Sequence, residues 1–289
     1  RSLRLRRHET ISLVLPPYFT QLPRSLDFDS HVRLTQWEVI FGIIEHARSF
    51  GYDVKLEPLQ GEDFSFLSSR LDNGHTDGAI FLLTGGMDSL FSGLLAADFP
   101  FVTLDFGSSG MPAMLYPDLE AGYHEAVDYF RKTGCRRMGL LSVPQFDHSR
   151  AVLRVLRKIL DESSLCNPEL FVEVEDIFAV RRLIDQRFYE SVDVLFCSND
   201  SMADMLEREF AFRDIRPRPQ IVGYDNNPVY GRISTIAVPR LEIARQAVEI
   251  LLGHLTGKNR IDERLRTRIP TRFLYRPEKR EENSRKNSF

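Results

Sequence analysis

Two short apolar runs in the second half of the chain each end abruptly in polar residues. Residues 192–197 (VDVLFC) lead into residues 198–200 (SND), and residues 220–223 (QIVG) lead into residues 224–227 (YDNN). Apolar runs too short for a helix are typical of strands buried in a parallel sheet. In open α/β sheets, ligands bind in the crevice beyond the carboxyl ends of the strands. The polar residues therefore mark a candidate recognition site.

The two carboxylates at these strand ends, Asp200 and Asp225, define that candidate site. Carboxylate oxygens delivered to one edge of a sheet can accept hydrogen bonds from a polyhydroxylated ligand, and the neighbouring Asn199 belongs to the same polar group. Both carboxylates could instead cap helices or turns. The residues alone leave the two interpretations open.

An alternation of strand-like and helix-like segments extends along the whole chain. Besides the two runs above, apolar patterns predict strands at 11–15, 52–56, 79–83, 101–104, 138–142, 170–174 and 271–275. Helical spacing of apolar residues predicts helices at 37–47, 119–130, 153–160, 180–188 and, most clearly, 240–255. Strands that alternate with helices imply βαβ units and a parallel sheet. Because the pattern restarts near residue 119, we expect two α/β lobes with a ligand crevice between them.

Composition excludes several classes of protein. The 289 residues carry a net charge of −3, so the body of the chain has no electrostatic footprint for nucleic acid, in contrast to the basic N-terminal RSLRLRR. No apolar run approaches the roughly 20 residues that cross a bilayer, and no apolar signal segment begins the chain, which predicts a cytoplasmic protein without membrane contact. The three cysteines and seven histidines show no metal-ligand spacing, so we expect no metal and no cofactor.

Enzyme motifs are absent with one partial exception. The sequence contains no GxGxxG after a strand, no GxxxxGK[ST], no HExxH and no GxSxG. Residues 84–89 (TGGMDS) resemble the SGGxDS loop of ATP pyrophosphatases, and a glycine loop at a helix N-terminus can hold phosphate. The first serine of that motif is threonine here, and Asp88 or Ser89 could simply cap a helix. We expect no catalytic residues and no enzyme activity.

Four other residues could contribute to a binding site. Trp37 begins an apolar helix face and is either part of the core or a flat wall for a sugar ring. Arg150, at a predicted helix start, could pair with vicinal hydroxyls or a carboxylate, or could be a solvated surface residue. Tyr18 and Phe19 lie in the long loop after the first predicted strand.

The segments that carry these features together resemble the LacI/GalR family of bacterial transcriptional repressors. The resemblance rests on VDVLFCSNDSMADMLEREF, IRPRPQIVGYDNNP, ISTIAVPRLEIARQAVEILLGHLTG and IPTRFLYRPE, and continues upstream through TDGAIFLL, FPFVTLD and PDLEAGYHEAVDYFRKTGCRRMGLL to RSLRLRRHETISLVLP. It covers essentially the whole chain in order. It implies two Rossmann-like parallel-sheet α/β lobes joined by three crossover strands, the periplasmic binding protein-like I fold, with an effector in the cleft and a homodimer.

The resemblance also implies roles for individual residues. Asp225 of GYD, Asp200 of SND and Arg150 match effector-contacting positions, although the usual x-x-Gly-aromatic after the arginine is absent. Asp118 and Thr235 fall at the hinge. Leu3 matches a leucine that wedges into the DNA minor groove, with Arg4 beside it to neutralise phosphate.

The resemblance further implies a division of the chain and a function. Residues 1–8 would be the remnant of a hinge helix and linker, 9–113 plus 235–262 the N-terminal lobe, 114–234 plus 263–277 the C-terminal lobe, and 278–289 a polar tail. The expected function is the effector-binding and dimerisation core of a repressor that senses a small polar molecule such as a sugar. Operator DNA would be bound only through a headpiece that this chain lacks. The rival functions are a solute-binding protein of a transporter and, less favoured, an ATP-using enzyme acting through residues 84–89.

Overall fold

Two six-stranded sheets, each flanked by helices, form the two lobes of the protein. The computed structural model describes residues 8–16, 28–59, 67, 71, 75–82, 87–105, 111–143 and 147–277. The strands are β1 (Thr10–Leu15), β2 (Asp53–Pro58), β3 (Gly78–Leu82), β4 (Phe101–Leu104), β5 (Met114–Asp118), β6 (Met138–Ser142), β7 (Phe171–Glu173), β8 (Val194–Cys197), β9 (Gln220–Asp225), β10 (Ser234–Ala237), β11 (Arg266–Pro270) and β12 (Arg272–Leu274). The helices are α1 (Phe28–Ser49), α2 (Asp88–Ala96), α3 (Leu119–Lys132), α4 (Asp147–Glu162), α5 (Ile177–Asp185), α6 (Asp200–Phe212) and α7 (Arg240–Leu255).

The sheets have closely similar topologies. The first has the order β11-β5-β4-β3-β1-β2 with every described pairing parallel, and the second has the order β12-β10-β9-β8-β6-β7 with only β12 antiparallel. The α/β class with two parallel-sheet lobes and three crossovers is confirmed. Strands β4 and β6 and helix α7 have the predicted bounds, because buried apolar runs and a clean helical face are the strongest local signals.

Three segments carry the chain between the lobes. It leaves the first sheet after β5, returns to the first lobe between β10 and α7, and crosses again between β11 and β12. These crossings lie downstream of the boundaries predicted at 113/114, 234/235 and 262/263, because each crossover strand pairs fully with one sheet before the chain changes lobe. Strands β5 and β11 were not predicted: β5 contains a proline, and β11 is a largely exposed edge strand of alternating arginines.

One buried apolar cluster continues through both lobes. It includes Ile11 and Leu251 of the first lobe, Phe130 and Phe196 of the second, and Ile236 of the second crossover, all with almost no exposed surface. Separate clusters fill the outer layer of each lobe, under α2 in the first and under α5 and α6 in the second. The lobes therefore share a core at the crossovers and are not independent domains joined by a flexible linker.

The crossovers are locked to one another at the start of α3. The Thr271 hydroxyl, from the single residue between β11 and β12, donates to the Asp118 carbonyl at 2.6 Å and accepts from the Gly122 amide at 3.0 Å. The Asp118 carboxylate caps α3 through the Glu120 amide, at 3.2 Å. A β-carbon on Gly122 would lie 2.7 Å from both Ile236 Cγ2 and Thr271 Oγ1, so only glycine allows this approach.

Two glycine-to-alanine substitutions should therefore change stability in opposite directions. Gly122→Ala should lower the free energy of unfolding by about 1–3 kcal/mol, because the methyl group overpacks the crossover contact. Gly93→Ala, in α2 with no atom within 4 Å of the added carbon, should raise it by up to about 1 kcal/mol through helix propensity. Urea unfolding of both variants measures the difference, and equal effects at the two positions would contradict the close packing of Gly122.

Candidate functional site

The carboxyl ends of β8 and β9 bring the predicted polar residues together at the junction of the lobes. Asn199, Asp200 and Asp225 lie there, and Thr235 in the neighbouring β10 contacts the same group. Parallel pairing of β9 with β10 places Asp225 opposite Ala237, two residues before the chain enters the first lobe at Pro239. The site is therefore built on the second crossover.

Asp200 is an internal hydrogen-bond acceptor of the second lobe. Its side chain receives the Thr235 hydroxyl at 2.6 Å on Oδ1 and the Asn227 amide at 2.7 Å on Oδ2, and the residue is 1% exposed. A β-carbon on Gly223 would lie 2.1 Å from Asp200 Oδ1, so glycine at that position of β9 makes room for the carboxylate. Asp200 thus ties α6, β10 and the turn after β9 into one unit.

Asn199 is the N-cap of α6, since its side-chain oxygen accepts from the Met202 amide at 2.8 Å. The capping role considered for Asp200 therefore falls on the preceding residue. Asn227 caps the next turn in the same way, through the Val229 amide at 3.0 Å. These caps fix the main chain on both sides of the candidate site.

Burial changes the acid–base behaviour of this group. Burial raises the pKa of Asp200 to about 7, with a further increase from the charge of Asp225, while the hydrogen bonds from Thr235 and Asn227 oppose the shift. Burial, followed by the charge of Asp225, also raises the pKa of the Tyr224 hydroxyl, to which the charge of Asp105 at the end of β4 adds.

Asp225 is held from the opposite lobe by an arginine that the sequence analysis did not assign to the site. Arg240, the first residue of α7, donates Nη2 to Asp225 Oδ1 at 2.7 Å and Nη1 to the Asp225 carbonyl. Its Nη1 also lies 3.6 Å from Glu38 Oε2 on α1. One signal was available: an arginine in the first turn opposes the helix dipole, which favours a role outside the helix.

No described contact joins the other predicted residues to Asp200, Asp225 or Arg240. Arg150 is exposed in the first turn of α4, and Trp37 is 40% exposed on α1 with its ring 5.7 Å from that of Phe41. Tyr18, Phe19, Leu3 and Arg4 lie outside the described residues, as do residues 84–86 of the TGGMDS loop. In the described part of that loop, Met87 is buried and precedes α2 without a side-chain cap.

Neither a metal site nor a membrane-spanning helix is found among the described residues. They contain no group of three or more His, Cys, Asp or Glu side chains placed to hold a metal ion. Within the same ranges, no helix has the length and apolarity required to cross a membrane.

A test of the Asp200 environment follows from its raised pKa. The pKa of Asp200 in the folded state lies above its ordinary value of 3.8. Its contribution to the free energy of unfolding is therefore fully present below pH 3.8 and is lost as the pH rises through about 7. Compared with Asp200→Asn, the native chain should lose on the order of 1–4 kcal/mol of unfolding free energy between pH 4 and 8. Urea unfolding of the native chain and of Asp200→Asn at each pH shows how the free energy of unfolding of each protein depends on pH.

The matched control is Asp193→Asn at the amino end of β8. Although burial opposes it, hydrogen bonds from Arg137 and from the Arg136 and Arg137 amides lower the pKa of Asp193, so its contribution is lost on acidification instead. Equal pH slopes for the native chain and Asp200→Asn would show that Asp200 ionises normally.

Comparison with known proteins shows which families and structures share this architecture. Residues 127–277, just over half of the chain, match the model of the periplasmic binding protein-like domain family. No curated protein matches the sequence.

Among solved structures, a LacI-family regulatory protein from Chloroflexus aggregans is similar at a TM-score of 0.76 and 18% identity, over 93% of this chain and 98% of that one. A LacI-family regulator from Enterococcus faecium with bound ribose has a TM-score of 0.69 and 20% identity, over 92% and 97%. The lac repressor dimer bound to operator and an anti-inducer has a TM-score of 0.71 and 16% identity, over 92% of each chain. Because the identities are this low, the similarities establish that the fold is shared and nothing more specific.

Proposed function

Because the chain belongs to the periplasmic binding protein-like domain family, we propose that it is the effector-binding core of a transcriptional regulator. The observation that carries the proposal is the Asp225 carboxylate, which lies at the carboxyl end of a parallel strand and contacts both lobes. A ligand at that position touches the junction about which the lobes move. For such a ligand to act as a signal, it must prefer one arrangement of the lobes, since equal affinity for both would shift nothing.

The effector in this proposal is a sugar or sugar derivative. The Asp225 carboxylate accepts hydrogen bonds from hydroxyl groups, and Asn199, whose side-chain oxygen caps α6, offers its side-chain NH2 group as a donor. The structurally similar Enterococcus faecium regulator contains bound ribose. Arg150, Trp37, Tyr18 and Phe19 stay in the proposed contact set. Asp200 belongs to it through the support that it gives to the turn after β9, because its own oxygens already have internal donors.

A thermal-shift screen against neutral sugars, sugar phosphates, sugar acids and nucleobases tests the site. A true effector at 100 times its Kd should stabilise the native chain by about 2.7 kcal/mol. Asp225→Asn should abolish that stabilisation, because the amide nitrogen cannot accept a hydrogen bond. Asp193→Asn, at the opposite end of the neighbouring strand, should leave it intact. Unchanged ligand stabilisation in Asp225→Asn would refute the assignment.

Operator contact in this proposal is made by a DNA-binding segment and not by the lobes. The lobes offer no excess of positive charge, since the chain carries a net −3. Leu3 and Arg4 would lie next to the DNA, in the linker that joins such a segment to the first strand. A regulator of this kind works in the cytoplasm.

The main rival is a solute-binding protein that delivers its ligand to a transporter. Both functions use the same cleft, so ligand binding alone does not separate them. Selection of genomic fragments by the full natural protein does: a regulator enriches a defined operator, and the effector from the screen changes that enrichment. The similar structures named above are regulators, not enzymes, and ATP hydrolysis dependent on Asp88 would be needed to favour an enzyme acting through residues 84–89.

The proposal includes a homodimer, for which α1 and α7 offer a surface. Phe41 and Leu241 are both more than 60% exposed. Leu241 Cδ2 lies 3.2 Å from the position of a β-carbon on Gly42, the residue after Phe41, so Leu241 of α7 packs on α1 one residue from Phe41. Contiguous apolar surface of this kind marks an interaction site. The structurally similar lac repressor is a dimer.

Sedimentation velocity measures the oligomeric state. The native chain should sediment as a dimer, and Phe41→Glu should shift it towards the monomer by placing a charge in the patch. Phe178→Glu in the second lobe replaces a phenylalanine with the same 62% exposure and should leave the dimer unchanged. A native monomer, or equal effects of the two substitutions, would exclude this patch as the interface.

A further inference from the structure

The guanidinium of Arg240 bridges the two lobes. It extends from the first turn of α7, which packs on α1 and the first sheet, to the last residue of β9 in the second sheet. Its side chain is only 4% exposed, and its described acidic neighbours are Asp225 at 2.7 Å and Glu38 at 3.6 Å. A buried guanidinium requires such partners, because an unpaired charge is costly away from water.

Arg240 fixes both the main chain and the side chain of Asp225. It donates to the carbonyl and to the carboxylate of the same residue, a two-point contact that suits the planar guanidinium and that a lysine cannot reproduce. The main chain at this point is unusual: φ is +109° at Asp225 and +56° at Asn226. Non-glycine residues hold such angles only where the surroundings enforce them.

The turn after β9 has a second anchor within the second lobe. Arg276, just past β12, donates Nη2 to Asn226 Oδ1 at 2.6 Å and Nη1 to the Ile233 carbonyl at 2.8 Å. Asn226 is therefore held from within the second lobe, while Asp225 is held from the first. The orientation of the Asp225 carboxylate consequently depends on where α7 stands relative to the second sheet.

We propose that Arg240 is the positioning residue of the ligand-binding carboxylate, and that it determines the affinity of the site by holding Asp225 in its ligand-ready orientation from the opposite lobe. This inference rests on the proposed function, in which Asp225 contacts the effector. Arg240 is not itself a binding site for an anion, because the two negative charges of Asp225 and Glu38 already outweigh its single positive charge. The ligand class that fits is a neutral hydrogen-bond donor, such as a polyol, which leaves the ion pair in place.

A ligand-independent measurement tests the positioning role. Hydrogen exchange of the segment 222–230, followed by mass spectrometry, should accelerate about tenfold in Arg240→Gln, because the strained turn loses its clamp. Arg240→Lys should give an intermediate rate, since it keeps the charge without the two-point contact. Exchange in β6, which is separated from β9 by one strand and makes no described contact with the turn, should stay at the native rate and thereby exclude general unfolding.

Arg245→Gln is the matched control. Arg245 lies in the same helix and pairs with Glu242 and Glu249 at 2.5 and 2.6 Å, but has no described contact with the turn. Its substitution should leave exchange of 222–230 unchanged. If Arg240→Gln proves too unstable to study, Arg240→Lys together with Asp225→Ala decides the question, because lysine cannot reproduce the two-point contact and alanine removes the carboxylate that accepts one of its two hydrogen bonds. Native exchange of the turn in these variants overturns the inference.

Calorimetric titration with D-ribose supplies the functional measurement. If the native chain binds ribose, Arg240→Gln should weaken binding about tenfold while Arg245→Gln leaves it unchanged, and equal affinities would overturn the inference. If the native chain does not bind ribose, the choice of ribose as effector fails. The exchange experiment then decides the positioning role by itself, so the two failures are distinguishable.

Discussion

Charge buried between two lobes must be neutralised where it lies, and this constraint organises the junction. Arg240 and Asp225 satisfy one another across the lobes, and Asp200 is satisfied within the second lobe by a hydroxyl and an amide. The hydrogen bonds of Asp200 require glycine at position 223, which leaves room for the carboxylate. The contacts of Arg240 require the unusual main-chain conformation at Asp225, which presents two oxygens to one guanidinium. The two sheets set the positions of the strands, and these few polar contacts fix how the two lobes meet.

The two aspartates that looked equivalent in the sequence have different surroundings. Asp200 has almost no exposed surface and supports the turn, whereas the side chain of Asp225 keeps 21% of its surface and faces the other lobe. A carboxylate of the first kind contributes rigidity, and one of the second kind can meet a ligand. Their mutual repulsion also links them, since the charge of Asp225 contributes to the raised pKa of Asp200.

Local sequence signals predicted the elements better than they predicted the site. Strand β8, strand β9 and helix α7 were visible because burial on both faces or on one helical stripe leaves a periodic record. Strand β11 was missed because an edge strand may be polar, and its pairing with β5 depends on residues about 150 positions away. Arg240 was missed for a related reason: its helix was predicted, but its partner lies in another lobe, and no periodicity records an ion pair. Asp225 could be proposed from the sequence because a strand end is itself a local signal.

The third crossover has a mechanical consequence. Between β11 and β12 there is one residue, Thr271, and it is hydrogen-bonded to the first crossover on either side of the α3 cap. Neither lobe can slide along the other or separate from it without breaking a strand, because a single residue has no slack to give. Rotation of the main-chain dihedrals about Thr271 remains available. The three crossovers and the core that the lobes share therefore restrict relative motion of the lobes to rotation, with Thr271 and its hydrogen bonds at one of the three crossing points.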